Sequence, residues 1–153
     1  MSDNNIWSEE WGRQPEDWSG GGGRSKPLPR GRHLGATLYQ LEPGDFVVYH
    51  FHHAREELLV VLGGRMTLRS PEGEREVREG EAVHFSTGPA GAHAFSNHTE
   101  RPVRYLMASS QQLPEVVEYP DLRQITAQAD AESMTGERLW LIHDVDQKKE
   151  VEA

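Results

Sequence analysis

The sequence predicts an all-β fold, a sandwich or small barrel, and three observations carry that reading. From about Leu34 to Ser109, short β-favouring runs recur every several residues. Between them stand EPGD, HHARE, LGGR, SPEGE, REGE, STGPAG and NHTERP, which supply Gly, Pro, Asn or Asp where a turn needs them. Many short, evenly spaced strands point away from a βαβ fold, and no repeat of solenoid period is present.

Taken in order, residues 1–32 read as an arm rather than a domain. They contain Trp7, Trp11, Trp18, the run Gly20 to Gly23 and the segment RSKPLPR, without apolar periodicity. One reading is a flexible tail. Against it, a freely solvated tail has little use for three tryptophans, so docking on the barrel or on a neighbouring subunit is the other. Strands are expected at 34–41, 45–52, 57–62, 65–69, 74–79, 82–85, 92–97 and 102–108, within a barrel of residues 33–112. Residues 113–153 form a C-terminal extension packing partly on that barrel. LPEVVEYPDLRQ reads as a loop or edge segment, because Pro114 and Pro120 cannot donate ladder hydrogen bonds. The polar stretch 124–135 suits a short helix. Leu139 to Ile142, with Trp140, is a brief apolar segment able to pack back on the core, and the charged end after it should fray.

Composition removes several functions. At 153 residues the chain is long enough for one domain with a core and too short for two ordinary ones. With no cysteine there are no disulfides, thiolate ligands or thiol nucleophiles, so any metal must be held by His, Asp or Glu. Sixteen Lys plus Arg stand against 25 Asp plus Glu, a net charge of −9, which lacks the basic footprint of a nucleic-acid partner. The longest strongly apolar run, LLVVL at 58–62, is far short of a membrane span, and the N-terminus lacks a basic-then-apolar signal. The expectation is a cytoplasmic protein with neither a membrane nor a nucleic acid as partner.

Residues 50–57, HFHHAREE, lie between two runs suited to buried strands, FVVY and LLVVL. Side chains alternate across a strand, so Phe46, Val48, His50 and His52 should share one face and Val47, Tyr49 and Phe51 the other. A turn at His53 to Glu56 would bring the next strand back antiparallel and set Glu57 beside the two histidines, with Leu59 and Val61 on the same face. Imidazole nitrogen and carboxylate oxygen together suit a divalent transition ion. His93, in GAHAFSN, could supply a fourth ligand.

The stretch GDFVVYHFHHAREELLVVLGG resembles the first motif of the cupin superfamily, G-x5-H-x-H-x3-4-E-x6-G. Gly44 opens it, His50 and His52 form H-x-H, and Glu57 and Gly64 complete it. Glu56 with Gly63 fits the shorter spacing equally well, and Glu57 is preferred because Gly64 precedes the next strand, RMTL. The second motif, G-x5-P-x-G-x2-H-x3-N, is matched by Gly80, Gly88, His93 and Asn97, with Ser86 in the place of proline and four residues instead of two before His93. That extra length falls in a turn and should leave the ligand in place. The whole resembles small single-domain bacterial cupins of the cupin 2 conserved-barrel type. The resemblance implies a double-stranded β-helix (jelly-roll) barrel with N- and C-terminal extensions, holding one divalent transition metal (Fe, Mn, Ni, Cu, Co or Zn) at His50, His52, Glu57 and His93.

Such a site would leave about two positions of a six-coordinate ion open. The resemblance implies an enzyme acting on a small chelating molecule, dioxygenase-like or isomerase-like, in a family that also includes decarboxylases and proteins of unknown activity. A non-catalytic module binding a sugar or other small molecule is the alternative, and a purely structural metal barrel is a third. No general acid or base can be assigned; Tyr105, Met107, Tyr39 and Gln40 lie on strands that could line the cavity. His53 is expected to face outward, His33, His84, His98 and His143 have no partners in sequence, and Asn97 should stabilise a turn or strand end. Arg55 reads as a solvated turn residue. Val47, Tyr49, Phe51, Leu58, Val60 and Leu62 make an outward set too apolar for water, which argues for a covering arm or a homodimer.

Overall fold

The computed structural model describes residues 4–12, 23–132 and 138–144. Trp18, Gly20 to Gly22, residues 133–135 and the end after Asp144 lie outside the described residues. The described residues form twelve strands: β1 (Arg24–Pro27), β2 (Leu34–Leu41), β3 (Phe46–His52), β4 (Glu57–Gly63), β5 (Arg65–Ser70), β6 (Gly73–Arg78), β7 (Ala82–Phe85), β8 (His93–Ser96), β9 (Val103–Ser110), β10 (Glu115–Tyr119), β11 (Gln124–Glu132) and β12 (Arg138–Asp144). They form two antiparallel sheets, one in the order β1-β2-β9-β4-β7 and the other β12-β11-β10-β3-β8-β5-β6. The all-β double-stranded β-helix is therefore present, and all eight strands expected between residues 34 and 108 are found within a residue or two. Among the described residues no helix is long and apolar enough to cross a membrane.

The core lies between the sheets. Leu41, Leu59, Val61, Phe85, Val103, Tyr105 and Met107 come from the first sheet, and Met66, Leu68, Val77 and Phe95 from the second. On β4 the alternation holds as expected: Leu59 and Val61 are buried, while Leu58 faces out at 42 % exposure. Asn97, fully buried at the end of β8, donates to Leu41 O (3.0 Å) and Arg101 O (2.8 Å) and accepts from Thr99, so it ties a strand end as its position suggested.

Four expectations need correction. The first concerns β3, where strict alternation fails. Val47 pairs with Phe95 and His50 with His93, so three steps on β3 match two on β8. This bulge shifts the facing by one residue. Val47 consequently packs on the core although His50 also points inward, and Phe46 is 50 % exposed. The second concerns β3 and β4, which form no hairpin. β3 pairs with β8 and β10, whereas β4 pairs with β7 and β9, so the turn at 53–56 carries the chain from one sheet to the other.

The third is LPEVVEYPDLRQ, which contains an interior strand: β10 pairs with both β3 and β11. Both prolines fall just outside β10, so neither removes a ladder donor. The fourth is the expected helix at 124–135, replaced by β11, which pairs with β10 on one side and β12 on the other. Its polar sequence suits a strand whose partners, more than its own apolar content, hold it. Leu139 to Ile142 lies within β12, which pairs with β11 at the end of the seven-stranded sheet, and Leu141 there is largely exposed.

The described part of the arm docks on the outer face of the five-stranded sheet. β1 pairs with β2, and Gly12 bridges to Ser25. Arg104 donates to Ile6 O, Glu9 and Gln40, and its guanidinium stands 5.0 Å from the Trp11 ring centre. Trp11 and the arm thereby cover the corner around Gln40 and the fully buried Leu38.

The facing of β4 can be checked by stability. Leu59→Ala should cost about 2–5 kcal/mol of unfolding free energy, as expected for a large-to-small change in a packed core. Leu58→Ala, one residue earlier on the outer face, should cost clearly less than Leu59→Ala in the same denaturant titration.

Candidate metal centre

Each side chain at the centre is placed by a different piece of backbone. His50 and His52 project from β3 after its bulge, His93 opens β8, and Glu57 opens β4 on the opposite sheet. The Glu57 carboxylate crosses the gap between sheets: its Oε2 lies 3.3 Å from His52 Nε2 and 3.2 Å from His93 Nε2. His50, His52 and Glu57 each offer a ligand atom, and these atoms lie within 4.8 Å of one another. The His50 and His93 ring centres are 4.5 Å apart. The structure thus brings together all four residues singled out from the sequence. Of the two candidate glutamates, Glu57 points inward, while Glu56 faces solvent beside His84.

The turn before β8 absorbs the two extra residues of the second motif. A 3-10 turn at Pro89–Gly91 packs against Ser86, and a Cβ on Gly91 would fall 1.8 Å from Ser86 O. The main-chain carbonyl of the same Gly91 is 2.9 Å from His93 Nδ1, so the turn orients the ring. His50 Nδ1 is likewise 2.8 Å from Val48 O. A carbonyl can only accept, so both rings carry a proton on Nδ1 and turn Nε2 inward. Phe85 stacks on His93 at 3.9 Å between centres and closes the wall behind it.

Burial shapes the charges. Desolvation, helped by His93, lowers the His50 pKa to about 3. Desolvation also opposes charge on His52, but Glu115 and Glu57 overcome it and raise that pKa to about 9. Desolvation works against the Glu57 carboxylate, yet His52 and His93 hold it well below the usual carboxylate range. Burial pushes the phenols of Tyr39, Tyr105 and Tyr119 upward, so all three stay protonated. Tyr39 and Tyr105 stack at 5.2 Å inside the barrel, and Tyr119 stacks on His50 at 5.7 Å. Tyr39, Tyr105 and Met107 therefore face inward, whereas Gln40 faces outward to Arg104.

Among the described residues, four buried side-chain atoms have no hydrogen-bond partner: His52 Nδ1, Glu57 Oε2, His93 Nε2 and Glu115 Oε2. Unmatched buried polar atoms are rare and call for an explanation. Two of them, Glu57 Oε2 and His93 Nε2, face each other across the point where the ligand atoms converge, and three imidazoles with one carboxylate are a donor set suited to a divalent transition ion. The residues present fit such an ion.

Sequence reasoning missed Glu115 and Tyr119, both on β10, because that segment read as a loop. The alternation of EVVEY was the available signal, with Glu115, Val117 and Tyr119 on the inner face. Arg55 was also misjudged as solvated: it donates to Gln112 O and Gln128 and lies 3.4 Å from Glu115, pinning the turn to β10 and β11. His53 does face outward, 2.8 Å from Glu118.

A family model of the cupin domain matches residues 37–109. A solved structure from Acidithiobacillus ferrooxidans, provisionally assigned as a sugar phosphate isomerase, is 32 % identical over 74 % of this chain and 68 % of its own, with a TM-score of 0.63. The chain belongs to the cupin superfamily. Two further structures share the cupin's fold: a sugar phosphate isomerase of the cupin superfamily from Silicibacter pomeroyi (23 % identity, 82 % of this chain and 76 % of its own, TM-score 0.67) and the polyketide cyclase RemF from Streptomyces resistomycificus (23 %, 63 % and 70 %, TM-score 0.54). At that identity they speak for the fold alone. No curated protein matches the cupin in sequence.

Two outcomes test this geometry. In chelator-treated cupin, the unfolded chain binds a proton at His50 near pH 6.5 that the folded chain refuses until about pH 3, so stability should fall with pH through that window. His52 acts oppositely: its contribution is complete below pH 6.5 and is lost as pH rises to about 9. Thermal unfolding of the metal-free protein should therefore be steepest in its losses on either side of pH 6.5, with His50→Asn flattening the acid limb and His52→Asn the alkaline one. Gly91→Ala should displace the turn and His93 with it, visible as large amide shifts at residues 86–93 while β5 and β6 keep theirs.

Proposed function

We propose that this cupin binds one divalent transition metal, iron, manganese, nickel, copper, cobalt or zinc, through His50, His52, Glu57 and His93, and acts there on a small chelating molecule in an isomerase-like or dioxygenase-like reaction. The observation carrying this reading is the pair of unmatched buried atoms, Glu57 Oε2 and His93 Nε2, 3.2 Å apart within the cluster of ligand atoms. A bound ion of this class supplies Lewis acidity toward a carbonyl or carboxylate oxygen or, if redox-active, reactivity with dioxygen. The chain's own groups then orient the ligand. His50 and His93 are oriented with Nε2 toward the centre by the bonds of their Nδ1 atoms to Val48 O and Gly91 O. The inward phenols Tyr39 and Tyr105 are neutral donors beside Glu57, able to accept and return no proton at ordinary pH but able to hold a substrate oxygen. Isomerisation is favoured by the 32 % identity to the Acidithiobacillus protein. The aromatic lining also suits a sugar or similar ring held without reaction, which is the second reading.

We also propose that the protein is a cytoplasmic homodimer. On the outer face of the five-stranded sheet, Leu58 aligns with Ala108 and Ala36, and Val60 with Leu106. The arm covers the Leu38 corner, but Leu34 and Leu58 remain well exposed. A continuous apolar face of this kind favours a second copy.

Metal content of the untagged protein, purified without chelators, tests the function. The wild type should carry about one equivalent of a transition metal, and His50→Ala/His52→Ala less than a tenth of that. Iron would direct assays to oxygen uptake, zinc or manganese to isomerisation; bound metal without turnover of any chelating substrate would favour the binding module, and a wild type unable to take up metal would overturn the proposal. For the dimer, Leu58→Asp/Val60→Asp should halve the mass measured by light scattering; a wild type already monomeric would refute it.

A further inference from the structure

The three histidines are not oriented alike. His50 and His93 each point Nδ1 at a neutral main-chain carbonyl, at 2.8 and 2.9 Å. His52 has no carbonyl. Its Nδ1 is buried, unmatched, and faces Glu115 Oε2 at 3.8 Å, an atom that is itself buried and unmatched. A donor and a carboxylate oxygen, both desolvated and facing, stand about 1 Å beyond hydrogen-bond length, a gap that a small ring rotation closes.

Glu115 is itself held firmly. It is 3 % exposed, and its Oε1 accepts the amide protons of His53 (3.0 Å) and Ala54 (3.3 Å), while Arg55 Nε sits 3.4 Å from Oε2. Three consecutive residues following His52 thus fix one carboxylate beside the His52 ring. We propose that Glu115 is the positioning carboxylate of the centre: it accepts a hydrogen bond from His52 Nδ1–H and so fixes Nε2 as the atom offered to the metal, with Arg55 balancing its charge. The inference deepens the metal-binding reading and rests on it. A carboxylate partner makes an imidazole a stronger ligand than a carbonyl partner does, and loss of such a partner commonly weakens metal binding by about 10–100-fold. His52 would then be the strongest of the three imidazole ligands.

Glu115→Gln separates this role from a structural one, because the amide keeps an oxygen for His53 and Ala54 but loses the charge. Zinc affinity is read by competition with a chelating dye, and the His52 Nδ1–H resonance by NMR on histidine-labelled protein. The expected result is a zinc dissociation constant raised about 10–100-fold, a shifted or lost Nδ1–H resonance and a near-native unfolding midpoint. Glu118→Gln, at the exposed partner of His53, should change none of these. Wild-type affinity together with an unchanged resonance in Glu115→Gln would overturn the proposal. Should that variant not fold, the wild type decides: a His52 Nδ1–H protected from solvent exchange supports the pairing, and one exchanging as fast as that of exposed His84 refutes it. Should the wild type bind no zinc, the metal-binding reading falls, and the resonance compared between wild type and Glu115→Gln in metal-free protein still settles the pairing.

Discussion

The carboxylate of Glu57 crosses from one sheet to meet histidines of the other, and the functional end of the barrel is organised around that contact. A carboxylate withdrawn from water is costly unless charges or donors compensate it. Here His52 and His93 provide the compensation at 3.3 and 3.2 Å, and both come from β3 and β8, which pair with each other in the opposite sheet. The barrel must close for the contact to exist. Conversely, the contact brings charged groups to a place where the hydrophobic core of Leu59, Val61, Phe85 and Phe95 would otherwise continue.

Much of this was legible in the sequence. Alternation placed Leu59 and Val61 inside and Leu58 outside, and turn residues marked nearly every strand end from Leu34 to Ser109. Alternation pointed to His50, His52 and Glu57, and the resemblance to the two cupin motifs added His93; all four side chains lie together. What neither could give was the route by which they meet. An antiparallel return after His53 to Glu56 is the simplest expectation, but β3 and β4 belong to different sheets, and the proximity is made across the core. The bulge in β3 was equally hidden, because one inserted residue leaves no trace in composition while reversing the facing of Val47.

The C-terminal part was read least well, for a physical reason. β10 is bounded by prolines and β11 is rich in Gln, Thr, Ala and Glu, so neither has the apolar signature of a core strand. Both are held by pairing with a neighbour, which local sequence does not reveal. Missing β10 meant missing Glu115 and Tyr119, the two groups it presents to His52 and His50. Side chains that support a site from behind lack the motif spacing of those that form it, and they become visible only once register is known.

The central claim, that four side chains from two sheets converge on one ion, is most directly tested by a crystal structure of the metal-loaded protein with anomalous data collected at the edge of the bound element. One strong anomalous peak is expected, about 2.0–2.2 Å from Nε2 of His50, His52 and His93 and from a carboxylate oxygen of Glu57. A peak held by other residues, or density showing Glu57 and His93 joined directly with no ion after saturating metal, would contradict the account.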